Sequence, residues 1–89
     1  METELNTKNI KIYTLPACPF CIRAKDLLRE RGVDFEEIDI SQAQGRERFN
    51  KEGDYKTVPQ IFIENKHFGG HDDLVALIDS GKFEEKFKL

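Results

Sequence analysis

An α/β domain with a small mixed four-stranded sheet flanked by helices is what this 89-residue sequence predicts. Three observations predict it. Residues 10–40 run strand, helix, strand, a βαβ unit that implies a right-handed crossover between parallel strands. Two later strand-like runs flank Asn65-Lys66, so a hairpin adds an antiparallel strand. The length supports one modest core, with no repeat, linker or second domain in view. Residues 1–8 read as a flexible lead and 9–89 as the single domain.

The elements follow in order. Ile10-Lys11-Ile12-Tyr13 is β-rich and bounded by Asn9 and Pro16, a buried first strand. From Pro19 to about Arg31 the spacing turns helical, with Cys21, Ala24, Leu27 and Leu28 on one arc, and Gly32 stands where a helix stops. "VDFEEIDI", 33–40, alternates with one slip, which predicts a second strand with a bulge near Glu36-Glu37. Ser41 can cap a second helix over about 42–52, a weakly packed one because Phe49 is its only large apolar residue. Val58, Ile61, Phe62 and Ile63 make a third strand preceded by Pro59, and His67-Phe68 a short fourth, broken by Gly69-Gly70. Asp72 or Asp73 caps a third helix with Leu74, Leu77 and Ile78 inward. Phe83 and Phe87, four apart, fold a last short helix onto the body.

Charge and composition exclude several function classes. Seventeen acidic against fourteen basic side chains leave a net charge of −3 with no basic stripe, which argues against a nucleic-acid partner. No apolar run approaches the roughly 20 residues of a membrane span. "METELNTKN" has neither a basic start nor an apolar stretch behind it, so it is not a secretory signal, and a cytoplasmic location is expected. In that compartment structural disulfides are rare. Yet the chain's two cysteines stand together in "LPACPFCIRAK", where the first strand gives way to the first helix.

A CxxC beside a βαβ pattern reads as a redox motif. Pro19 suits the first helical position, which makes Cys18 the N-cap. An N-cap side chain accepts from N–H groups two and three residues on, and the helix dipole adds positive potential there. A thiolate is favoured at such a place, so Cys18 is the candidate nucleophile. Cys21 lies on the inward arc, one turn on, and is the candidate resolving thiol. The other uses of two cysteines fit less well. Zinc needs four ligands, and His67 and His71 are separated by Gly69-Gly70 rather than set on one helix, so no metal is expected. A staple across so short a loop would stabilise little.

"CPFC", "TVPQIFI" and "GGHDDL", in that order and spacing, resemble the dithiol glutaredoxins over about 10–80. The resemblance implies a thioredoxin-like fold and glutathione as reducing co-substrate. It makes Pro59 a cis proline facing the active cysteine; the residues alone allow an ordinary strand-starting proline equally well. An extended thiol peptide would then pair with Val58. It places the γ-glutamyl end of glutathione at Gly70, His71, Asp72 and Asp73, on a helix start with free N–H groups. Phe20, Thr57, Val58 and Pro59 would line the groove, with Arg46 and Lys56 as cations for the glycyl carboxylate. The chain departs from the family pattern twice: Phe20 stands where Tyr is usual, and Leu15 where many relatives carry Lys or Arg.

The expected activity is glutathione-dependent reduction of protein disulfides and protein–glutathione mixed disulfides by a monomer serving redox homeostasis and electron transfer. Two rival readings use the same motif. One is a hydrogen donor for ribonucleotide reductase fed by a thioredoxin reductase, against which the glutathione-like features weigh. The other is a dimer bridged by an iron–sulfur cluster, which the proline of "CPFC" disfavours.

Overall fold

The computed structural model describes residues 8–88. The expected flexible lead therefore lies outside the described residues except for Lys8, whose N–H donates to the Phe87 carbonyl at 2.8 Å. Strand β1 (Ile10–Thr14) leads into helix α1 (Pro19–Glu30), then β2 (Glu36–Asp39), α2 (Ala43–Glu52), β3 (Gln60–Ile63), β4 (Lys66–Gly69), α3 (His71–Asp79) and α4 (Phe83–Phe87). The strands lie in the order β2-β1-β3-β4. β1 pairs with β2 in parallel and with β3 antiparallel, and β3 pairs antiparallel with β4. This is the thioredoxin-like arrangement, with β1 and β3 as the inner strands.

Two apolar layers hold the helices to the sheet. Alternation along β1 and β3 sends Ile10, Ile12, Ile61 and Ile63 into a cluster with Ala24 and Leu28 of α1, Leu74 of α3 and Phe83 and Phe87 of α4. The rings of Phe83 and Phe87 stack at 4.5 Å, as their spacing predicts. The opposite face carries Tyr13, Ile38, Ile40, Phe49 and Phe62.

Several boundaries differ from the sequence reading: β3 begins at Gln60, which leaves Val58 ahead of it, and α3 begins at His71 with Gly70 rather than Asp72 or Asp73 as its N-cap. β2 begins at Glu36, so Val33 is buried ahead of the strand, and the expected bulge is instead the place where pairing starts. Ser41 does not cap α2, because its hydroxyl and its N–H both go to the Asp39 carboxylate; Gln42 is the N-cap and makes no side-chain bond. The hairpin turn is Glu64-Asn65 rather than Asn65-Lys66, with φ of 52° and 67°. Two consecutive left-handed residues are what a tight two-residue hairpin needs.

α2 is held better than one apolar residue suggests. The Tyr13 hydroxyl donates to Glu52 Oε2 at 2.6 Å, and Lys11 Nζ lies 2.6 Å from the same oxygen. Gly45 lets the helix approach so closely that a Cβ there would collide with the Asp39 carbonyl. Burial pushes the Glu52 carboxyl up, but the bonds from Lys11 and Tyr13 outweigh it and hold the group below its ordinary value. A carboxylate depressed in the folded state contributes stability above its unfolded value of about 4.3, lost as pH falls through the folded one. Thermal unfolding at pH 7 and pH 3 should therefore show a smaller acid loss for Glu52→Gln than for wild type.

Candidate active site

The first helix opens as the CPFC spacing predicts. Cys18 is its N-cap, with Pro19 following at the first helical position. The Cys21 N–H donates to Cys18 Sγ at 3.2 Å, and the Cys18 thiol faces the Val58 carbonyl at 3.8 Å. Both cysteines are free thiols; Cys18 is half-buried and Cys21 buried. Burial, then the hydrogen bond with Cys18, push the Cys21 thiol up to about 12. Position along one helical turn thus makes the two sulfurs unequal: one reachable, the other sealed and protonated.

An open cleft of about 340 Å³ lies beside this turn. Three separate stretches build it. Phe20 comes from the start of α1; Thr57, Val58, Pro59 and Gln60 from the approach to β3; Gly69 to Asp73 from the end of β4 and the start of α3. The Val58-Pro59 peptide bond is cis. Phe20 is half exposed and packs on His71 with ring centroids 5.1 Å apart, so α1 and α3 meet across the cleft. Gly70 stands close under the Pro59 carbonyl, where an added Cβ would come within 3.1 Å of the oxygen.

The acids at the start of α3 divide their work. Asp73 accepts from the Gly70 N–H at 2.9 Å and so caps the helix. Asp72 is exposed to solvent and meets His71 Nδ1 at 3.1 Å.

Of the residues named from sequence, Phe20, Thr57, Val58, Pro59, Gly70, His71, Asp72 and Asp73 line one cleft, and Cys18 faces Val58 at its side. Arg46 and Lys56 do not line it. Arg46 lies on the outer face of α2, whose inward residues are Gly45 and Phe49. Lys56 is 78% exposed and paired with Asp54 at 2.9 Å. Leu15, like Tyr55 and Val58, packs against the Tyr13 cluster. Among the described residues there is no group of three or more His, Cys, Asp or Glu that could hold a metal ion.

Tyr55, Gln60, His67 and Gly69 also line the cleft and were not foreseen. Tyr55 and His67 stack at 4.5 Å. Only the register of β3 on β4, with Phe62 opposite His67, brings these distant residues together. The one local hint was Gln60, a polar residue beginning an otherwise apolar strand.

Known proteins share both the sequence and the arrangement. A family model described as Glutaredoxin matches residues 10–68. Glutaredoxin 1 of Rickettsia conorii is 48% identical over 79 residues, covering 85% of this chain and 78% of its own. Glutaredoxin 3 of Escherichia coli K12 is 47% identical over 81 residues, covering 90% and 98%. The solution structure of a glutaredoxin from Brucella melitensis is 44% identical and superposes with a TM-score of 0.74, covering 90% of this chain and 88% of that one.

Proposed function

The chain belongs to the glutaredoxin family, a thiol–disulfide oxidoreductase by descent, and from that premise we propose that it is of the dithiol type and draws its electrons from glutathione. The observation that carries the proposal is the inequality of the cysteine pair: Cys18 half-buried at a helix start and facing the cleft-lining Val58, Cys21 sealed beneath it.

With a protein–glutathione mixed disulfide, the Cys18 thiolate attacks the glutathione sulfur. The S–S bond breaks, the protein leaves as a thiolate that takes up a proton, and glutathione stays on Cys18. A second glutathione thiolate attacks that glutathione sulfur, releases Cys18 and leaves as glutathione disulfide. The one free glutathione is thus the reductant: its sulfur is oxidised as the protein sulfur is reduced, and the glutathione carried in by the substrate leaves with it in the disulfide. With a protein disulfide, Cys18 forms the mixed disulfide, Cys21 loses its proton and attacks Cys18, and the substrate departs as a dithiol. Glutathione then reduces the Cys18–Cys21 disulfide.

On this reading the γ-glutamyl carboxylate takes the free N–H groups at the start of α3, near His71 and Asp72. Asp72, free of capping duty, is the acid available to the ammonium. The cysteinyl backbone pairs with Val58, as an added strand pairs with an open edge. Lys56, next in sequence to the cleft-lining Thr57, is the better placed of the two cations for the glycyl carboxylate. The working setting is a monomer in a reducing cytoplasm, where glutathione is kept thiol.

A coupled assay tests the proposal. Turnover of a glutathionylated peptide is followed with glutathione and glutathione reductase, and separately with thioredoxin reductase. Glutathione should support turnover and the flavoenzyme alone should not. Cys21→Ser should retain mixed-disulfide reduction within about threefold and lose reduction of an intramolecular protein disulfide. Reduction by thioredoxin reductase alone would move the protein to the ribonucleotide reductase donor reading.

A further inference from the structure

The inner wall of the cleft holds a hydrogen-bond chain that the reaction above leaves unused. Gln60 is buried at the start of β3. Its amide nitrogen lies 3.1 Å from both the carbonyl oxygen and the hydroxyl of Thr57. Its amide oxygen lies 2.7 Å from His67 Nε2. A carbonyl oxygen can only accept, so the end of the amide facing Thr57 is the NH2 group. The other end is then an acceptor, and His67 must carry a proton on Nε2. His67 is held in turn by Tyr55 against its ring face and by Phe62, its centroid 5.2 Å from the His67 ring, edge to face.

Tyr55 and Val58 pack the segment so held against the Tyr13 cluster, but few polar contacts fix its main chain. Residues 54–59 lie outside every helix and strand. Among the described residues, no backbone–backbone hydrogen bond outside the helices and strands involves any of them. The Gln60 amide is therefore the principal polar anchor of the main chain that presents Val58 to Cys18.

We propose that Gln60 and His67 are positioning residues: acting through Thr57, they hold the Val58 main chain against Cys18, so that glutathione and thiol peptides pair with it in one register. The inference rests on the glutathione-dependent reading above. Neither side chain touches a reacting sulfur. A buried amide with a purely structural duty would affect stability, whereas one that fixes a pairing edge affects substrate binding.

The test uses the intact protein with Gln60→Leu, His67→Phe, His67→Gln and the double variant Gln60→Leu/His67→Phe. Gln60→Leu and His67→Phe should each raise KM for glutathione and for the mixed disulfide roughly tenfold, with kcat changed by less than about threefold. The double variant should be no worse than Gln60→Leu alone, since both break one chain. His67→Gln, which restores a donor, should stay within about threefold of wild type. The backbone amide resonances of Thr57 and Val58 should move in Gln60→Leu and hold in His67→Gln. Unchanged KM together with unmoved amide resonances in Gln60→Leu overturns the proposal, even if its Tm falls. If wild type itself fails to reduce the mixed disulfide, the glutathione reading fails. The amide resonances need no turnover and still decide whether Gln60 holds the segment.

Discussion

Cys18→Ser eliminates turnover, by on the order of 10³-fold or more, in a protein that remains folded. Serine is among the best N-cap residues, so its hydroxyl takes over acceptance of the Cys21 N–H and the helix start survives. What disappears is the sulfur, and a hydroxyl at neutral pH does not displace a thiolate from a disulfide. Cys21 cannot stand in, because burial keeps its proton on and its side chain out of reach. The mixed-disulfide assay reads the loss, and thermal unfolding should show a Tm within a few degrees of wild type. Activity above a few per cent of wild type in this variant would remove Cys18 from the nucleophile's place.

Leu74→Ala has the largest expected effect on stability, about 2–5 kcal/mol. Leu74 is fully buried in the first turn of α3, among Ile12, Ile61, Leu28 and Phe87. Its N–H makes the bond to the Gly70 carbonyl that begins the helix. Truncation opens a cavity where α3 is seated on the sheet, and Gly70 and His71 stand on that seat. For a domain of this size the loss amounts to a fall in Tm of roughly 10 °C or more. Chemical denaturation read alongside glutathione KM checks both consequences. Weaker substrate binding should accompany the lost stability, whereas a change at the exposed Ala76 on the same helix should leave both alone.

The elements were legible where local chemistry decides them. Pro19 after Cys18, Gly32 after the first helix and the four-residue spacing of Phe83 and Phe87 each predicted a feature the fold contains. Ser41 misled because a nearer acceptor, the Asp39 carboxylate, competes for its hydroxyl. α2 looked weakly held because its attachment depends on Tyr13 and Lys11 of β1, and on a glycine whose missing side chain matters only against the main chain at Asp39 and the side chain of Ile38. The site divided the same way. Residues inside the three motifs assembled at one cleft, while Tyr55 and His67 entered through strand register, which no short motif records. Arg46 and Lys56 were named by position in the chain, and a long exposed side chain is the kind whose direction local sequence leaves undetermined.

Among the described residues, Phe20 and Ile22 are the two large apolar side chains left at the surface, 51% and 47% exposed, and they flank the buried Cys21 in sequence. Neither belongs to an apolar cluster that holds the sheet and helices together. Exchanges at such positions ordinarily change stability by no more than about 0.5 kcal/mol. The rim around the nucleophile can therefore drift through many residue types while the scaffold beneath stays under its own separate constraint. A library randomised at these two codons alone should yield mostly folded clones that differ in their turnover of one glutathionylated peptide against another.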